Sequence, residues 1–463
     1  MTPRRRHLLI AAMMTAAVGA SGCSTVSRLN PFHGSESKAK ETTEGQRISI
    51  IPADEVLAPA ASLKGVDFAL PAPATLADWP LPGGTPEQAV ENVDAAPNLS
   101  VAWRRGVGQG SSRAVHVMAT PVVAGGRVYT MDAEAGVSAH DARTGAEVWR
   151  ANLRPDDNRR DREAFGGGLA FADGKLYVTS GYRFVAAVDA ASGKLLWRTH
   201  TEEPIHAAPT VAEGRIMAVG IDNSLLTFDA ATGANGWSYQ ALSEPARILA
   251  ASSPAVSGDT VVASFGSGEL VALRVANGND LWDEALSRAS RTSALSEIRD
   301  IPGRPVIYRG DVYAVSHSGV FSATDLRTGQ ARWNLPVVGI TTPLPAGDVV
   351  YVVSKTGQVI CASRETGQIF WIRDLNEGFV AKRQGGFLGI GGHRITRPVW
   401  SSPLLANNRL LVAGTSGQLV ALDAKTGAVA KRVELGAPTL IGPVAAGDTV
   451  YVITDTAELV ALR

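Results

Sequence analysis

From about residue 120 onward the chain is written in short apolar runs broken by glycine-containing turns. "TPVVAGGRVYTMDAEAGVSAHDARTG" (120–145) shows the pattern: an apolar run, a Gly-Gly turn, a second run, a polar turn, a third run, then Asp-x-x-Thr-Gly. "SSPLLANNRLLVAGTSGQLVALDAKTG" (401–427) and "GPVAAGDTVYVITDTAELVALR" (442–463) follow the same plan. Runs this short, rich in β-branched residues and punctuated by Gly and Asp, predict strands joined by tight turns.

The end of each unit is the most constant part. "DLRTGQARW" (325–333), "DARTGAEVW" (141–149) and "DAASGKLLW" (189–197) are variants of Asp-x-x-Thr/Ser-Gly-x-x-x-Trp. Full or near copies place glycines at 145, 193, 233, 278, 329, 367 and 427, with steps of 48, 40, 45, 51, 38 and 60 residues. A period of about 40–50 residues built from strands is the signature of propeller blades. The Asp or Ser/Thr side chain can bond the backbone of its own turn. The Gly supplies a positive φ. Trp149, Trp197, Trp237, Trp282, Trp333 and Trp371 fall on the following strand, where they can fill the seam between blades. Lys431 stands at that place in the seventh copy.

The first three strands of a unit occur eight times, but the fourth strand only seven. The eighth unit stops at "ELVALR", and "NLSVAWRRGVG" (98–108), with Trp103 in the seam position, can supply its missing strand. That closes the ring and removes an exposed edge. The expected fold is therefore all-β: an eight-bladed propeller over 98–463.

Two segments precede it. Residues 1–22 carry Arg4, Arg5 and Arg6 ahead of an apolar stretch and small residues. That is the plan of an export signal. "ASGC" then places small residues directly before Cys23, as in a bacterial lipoprotein signal, although the usual Leu is Ala20 here. Cys23 is the expected lipidation site, and Ser24 after it points to the outer membrane. "RRHLL" (5–9) leaves the export route open between the general and the twin-arginine pathways. Residues 24–98 hold nine of the 25 prolines, ten acidic and five basic residues. This composition predicts that 23–97 is an extended, solvated tether. Trp79 in "DWPLPGG" could dock on the domain or lie loose.

Charge narrows the function. Lys and Arg total 44 against 44 Asp and Glu. This balance gives no support to a nucleic-acid binder, which usually carries a basic excess. The eight histidines are scattered, and no His-x-x-x-His, Cys-x-x-Cys or Gly-x-Ser-x-Gly spacing occurs. No zinc site or hydrolase elbow is indicated. Cys361 reads as a small apolar core residue. "GGFLGIGGHR" (385–394) lacks the Lys-Ser/Thr of a phosphate loop and reads as a loop inserted between blades.

The nine-residue phrase resembles the repeat of pyrroloquinoline-quinone-type propellers, which include quinoprotein dehydrogenases and non-enzymatic proteins. "GCS" (22–24), the compact blades, "FGGGLAFADGKLYV" (165–178) and "LSEIRDIPGRPVIYRGDVYAVSHSG" (295–319) are similar to the BamB family of outer-membrane assembly factors. The resemblance implies a non-catalytic, lipid-anchored protein on the periplasmic face of the outer membrane, without a cofactor. It implies binding to BamA and association with other subunits of the β-barrel assembly machine. It also implies a role in guiding unfolded outer-membrane proteins. Carried over by position, it points to Asp300 with Glu297 and Arg299, and to Arg247, Ile248 and Leu249 in the loop one blade earlier, as BamA contacts. Two other readings stand beside it: a calcium- and quinone-dependent dehydrogenase, and a propeller that binds an envelope polymer.

Overall fold

The computed structural model describes residues 57–155, 165–243, 252–287, 298–380, 383–384, 393–394 and 396–463. Eight four-stranded antiparallel sheets follow one another along the chain. They are blade 1 (122–152), blade 2 (167–200), blade 3 (210–240), blade 4 (255–285), blade 5 (306–335), blade 6 (344–374), blade 7 (404–434) and blade 8 (444–462). Blade 8 takes its outermost strand from Val101–Gly106, paired antiparallel with Glu458–Leu462, so the ring is closed as the repeat arithmetic predicts.

Within a blade the first strand is innermost and the fourth outermost. In blade 1 the third strand, Gly136–Asp141, is buried along most of its length. The fourth, Glu147–Asn152, is exposed apart from Trp149 and Ala151 on its inward side. The core is a set of apolar layers between neighbouring blades. Tyr129 and Met131 of blade 1 pack with Leu176, Val178 and Phe184 of blade 2. Cys361 is fully buried in the layer between blades 6 and 7, where burial pushes its thiol well above the ordinary range. It is the small core residue that its sequence context suggested.

Strand alternation gives the ring two faces. Turns between first and second, and between third and fourth, strands lie on one face. The turns between second and third strands and the connections between blades lie on the other.

The segment before the ring departs from the expected tether. Residues 57–78 are largely exposed apart from Phe68, but from Trp79 onward the segment is extended and not solvated: Trp79, Leu81, Val90, Val93 and Ala96 are buried. The chain crosses the centre of the turn face and bonds the free edges of successive inner strands. Trp79 exchanges two backbone hydrogen bonds with Val123 of blade 1, at 2.7 and 2.9 Å. Phe171 of blade 2 donates to the Pro80 carbonyl at 2.7 Å, Val256 of blade 4 to Pro86 at 2.7 Å, and Ile307 of blade 5 to Glu87 at 2.9 Å. Val93 closes the circuit on blade 7, donating to Leu405 at 3.0 Å and accepting from Asn407 at 2.9 Å. Gln88 Nε2 adds bonds to Thr210 Oγ1 and the Pro254 carbonyl. Inner strands are edge strands whose N–H groups need acceptors. A proline-rich strap supplies carbonyls and asks for few acceptors in return. Composition alone reads this segment as tether because it contains no apolar period of its own.

Candidate functional site

The connection face carries two of the contact residues that the sequence singled out, Arg299 and Asp300. Asp300 and Arg299 lie at the end of the connection from blade 4 to blade 5. Asp300 is buried at 2% exposure, and its carbonyl accepts the His317 N–H at 2.8 Å. Arg299 next to it is exposed and packs beside Gly268 in a turn of blade 4. The structure thus separates two neighbours that the sequence treated together: Asp300 holds the loop, and Arg299 faces outward. Glu297, Arg247, Ile248 and Leu249 lie outside the described residues, as does Cys23.

The loop is anchored on blade 5. His317 is buried, and its Nε2 lies 2.7 Å from the Lys355 ammonium of blade 6. Burial first, and then the Lys355 charge, hold the His317 imidazole below its usual range. A neutral ring can accept the Lys355 proton in that bond. Ser318 Oγ donates to the Leu286 carbonyl at 3.0 Å, tying the start of the same connection. Between blades 6 and 7, residues 383–384 pair antiparallel with 393–394, and the rest of the inserted "GGFLGIGGHR" stretch lies outside the described residues.

The channel opens on this face as a cavity of about 460 Å³. Its wall is largely apolar, with Met118, Phe165, Ile340, Trp400 and Ile441 among the lining residues. His116, Phe165 and His206 form a run of ring contacts at 5.1 and 4.6 Å between centroids. Among the described residues Asp455 is the one carboxylate lining the cavity, and burial raises its pKa. Arg304 lines the cavity too. A calcium–quinone centre needs several oxygen ligands, usually including more than one carboxylate. Among the described residues no group of three or more His, Cys, Asp or Glu could hold a metal ion. The described residues that line the cavity therefore do not make up such a centre.

The seam tryptophans are structural. Trp149 donates to the Ala190 carbonyl of the next blade at 3.0 Å, Trp237 to Val275 at 2.9 Å, Trp282 to Leu326 at 2.7 Å and Trp333 to Arg364 at 2.7 Å. Trp103, Trp197 and Trp371 occupy equivalent seams, each standing on a glycine of the following blade.

Closed eight-bladed geometry with this Asp-Thr-Gly-Trp architecture defines a propeller of the pyrroloquinoline-quinone-repeat class. The family model of the outer membrane protein assembly factor BamB matches residues 133–373 and 382–463, so the chain belongs to the BamB family. The BamB of Moranella endobia is 24% identical over 345 residues, 74% of this chain and 84% of that protein. The crystal structure of BamB from Moraxella catarrhalis aligns with a TM-score of 0.65 at 16% identity, covering 78% of this chain and 99% of that one. The quinohemoprotein alcohol dehydrogenase of Comamonas testosteroni aligns at 0.63 and 15% identity, covering 84% and 80%. The β-propeller domain of glucose/ethanol/alcohol dehydrogenases matches residues 89–172. The likeness to both solved structures is one of fold.

Proposed function

We propose that the protein is a non-catalytic periplasmic scaffold of the outer-membrane β-barrel assembly machine, anchored through a lipidated Cys23 and bound to BamA. The observation that carries the reading is the division of the two faces. The strap covers the centre of the turn face and satisfies the inner strand edges there. The connection face retains the inter-blade loops, with Arg299 exposed on a loop fastened by His317 and Ser318. A rigid ring with loops on one open side suits docking rather than turnover. Arg299 forms part of the BamA contact. Asp300 acts behind it as a positioning residue. A role in guiding unfolded outer-membrane proteins would follow from holding them beside BamA.

The test is a mild-detergent pull-down of the tagged full chain from its own envelope, read by mass spectrometry, beside Arg299→Glu. BamA should accompany the wild type, and reversing one exposed contact charge should weaken its recovery several-fold. Absence of BamA from the wild-type sample would sink the reading. Equal recovery from both proteins would leave the complex standing and remove Arg299 from the interface. Asp300→Arg is the poorer probe, because charging a buried loop residue disturbs folding.

A further inference from the structure

The residue that leads into each inner strand is small in seven blades, as at Thr120, Ser253, Thr342 and Ser402. Blade 5 alone places a long cationic residue there, Arg304. Its position is fixed by its own backbone N–H, which donates to Thr342 Oγ1 at 3.1 Å. Its Nε is buried with no hydrogen-bond partner. Among the described residues no carboxylate pairs with its guanidinium. Burial lowers its pKa to about 10, so the group remains charged at neutral pH.

Arg304 lines two spaces. One is the 460 Å³ cavity open to the connection face. The other is a chamber of about 50 Å³ beneath the strap, lined also by Trp79, Gln88 and Val90. Gln88 Oε1 is a second buried atom without a partner. The small chamber suits an ordered water serving Gln88 and Nε, since a water needs little more than one probe sphere of room and a few polar partners. The larger cavity is of the size that takes small organic ligands, roughly 300–1,000 Å³.

We propose that the channel cavity binds a singly charged carboxylate carrying an apolar body, with the Arg304 guanidinium as its anchor. Arg304 is half-buried with no carboxylate partner among the described residues, and an anion of matching geometry would compensate the part of its charge removed from water. A planar carboxylate can meet the guanidinium fork with two parallel hydrogen bonds. The apolar wall formed by Met118, Phe165, Ile340 and Ile441 suits the body of such a ligand. Asp455 on the same wall disfavours a second negative charge. A tricarboxylate quinone would bring more charge than one arginine can match. The acid group can come from a free small molecule or from the C-terminus of a peptide.

Titration calorimetry on the full chain at neutral pH tests this with two probes, 4-phenylbutyrate and N-acetyl-Ala-Ala-Leu with a free C-terminus. Each is compared with its neutral amide. At least one acid should bind saturably, at least tenfold more tightly than its amide. Arg304→Gln should remove that preference. Met118→Trp, which fills the cavity while keeping Arg304, should weaken binding of the same acid at least tenfold. Thermal melts establish that both variants are folded. If Arg304→Gln does not fold, the acid–amide comparison and Met118→Trp decide. Preference for one acid alone identifies the source of the carboxylate. No saturable binding of either acid, equal binding of acid and amide, or unchanged binding by folded Arg304→Gln would each overturn the proposal.

Discussion

Trp149 of blade 1 stands over Gly193 of blade 2 so closely that a Cβ on the glycine would lie 2.5 Å from the indole Cε3. Trp197 makes the same contact on Gly233, and Trp371 on Gly427. The constant Gly and the constant Trp of the repeat are thus partners across a seam rather than within one copy. Gly193 answers two demands at once, a φ of +75° and the room for the neighbour's ring.

Gly193→Ala should therefore destabilise the protein by more than the about 1–2 kcal/mol that a left-handed backbone costs a residue with a side chain. Trp149→Ala should cost roughly 2–4 kcal/mol through the opened seam. In the double variant the steric part of the Gly193→Ala penalty disappears, so the two losses should add to less than their sum. Urea unfolding of the four proteins measures this, and strict additivity would show that the ring does not bear on the glycine.

Lys431 explains itself by the same relationship. Blade 8 is where the ring closes, with Ser100 and Arg463 exchanging backbone hydrogen bonds at 2.7 and 2.9 Å. That junction has no Thr-Gly turn for a blade 7 tryptophan to stand on. Lys431 instead donates to the Asn98 carbonyl at 2.7 Å. Restoring the repeat consensus with Lys431→Trp should bring no gain, and a change within about 1 kcal/mol is expected from losing one exposed hydrogen bond. A rise in melting temperature of several degrees would contradict this account.

The strap should protect the inner strands. Trp79 is 4% exposed and anchors it on blade 1, while Gln88 bridges blades 3 and 4. In a Trp79→Ala, Gln88→Ala variant the backbone amides of Phe171, Val256 and Ile307 should exchange with deuterium faster than in the wild type. Amides in the third strands of the blades should keep their rates. Unchanged exchange at Phe171 and Ile307 would mean that the strap docks independently of those two side chains.

Acid should loosen the repeat turns. The Thr144, Ser192, Thr232 and Thr328 hydroxyls, with the adjoining backbone N–H groups, hold Asp141, Asp189, Asp229 and Asp325 below the usual carboxylate range. A folded-state pKa below the unfolded value of about 3.9 gives stability that is present above that value. It is lost as pH falls through the lower folded value. The urea midpoint should therefore drop between pH 5 and pH 2. The drop should be smaller when all four residues are Asn, which keeps the turn acceptor and does not titrate. An equal acid response in both proteins would place the sensitive groups elsewhere.

The propeller was legible because its information is local and repeated. Eight strand–turn patterns and a fourth strand missing at residue 463 determine both the blade number and the need for Val101–Gly106 to close the ring. The faces of Cys361 and the seam tryptophans are readable for the same reason: strand period assigns each side chain a face. Arg304 left a signal that only alignment of the eight units exposes, one long cation among small residues. Its meaning needed the ring, since only closure turns eight separate loop ends into the wall of one cavity. The strap and the Asp300–Arg299 pair were decided by tertiary structure alone. Residues 79–97 have no pattern of their own, and their partners are strand edges that exist only once the blades are assembled. Adjacent residues on a loop have no period to assign inside and outside, so packing against blade 5 buried Asp300 and left Arg299 in solvent.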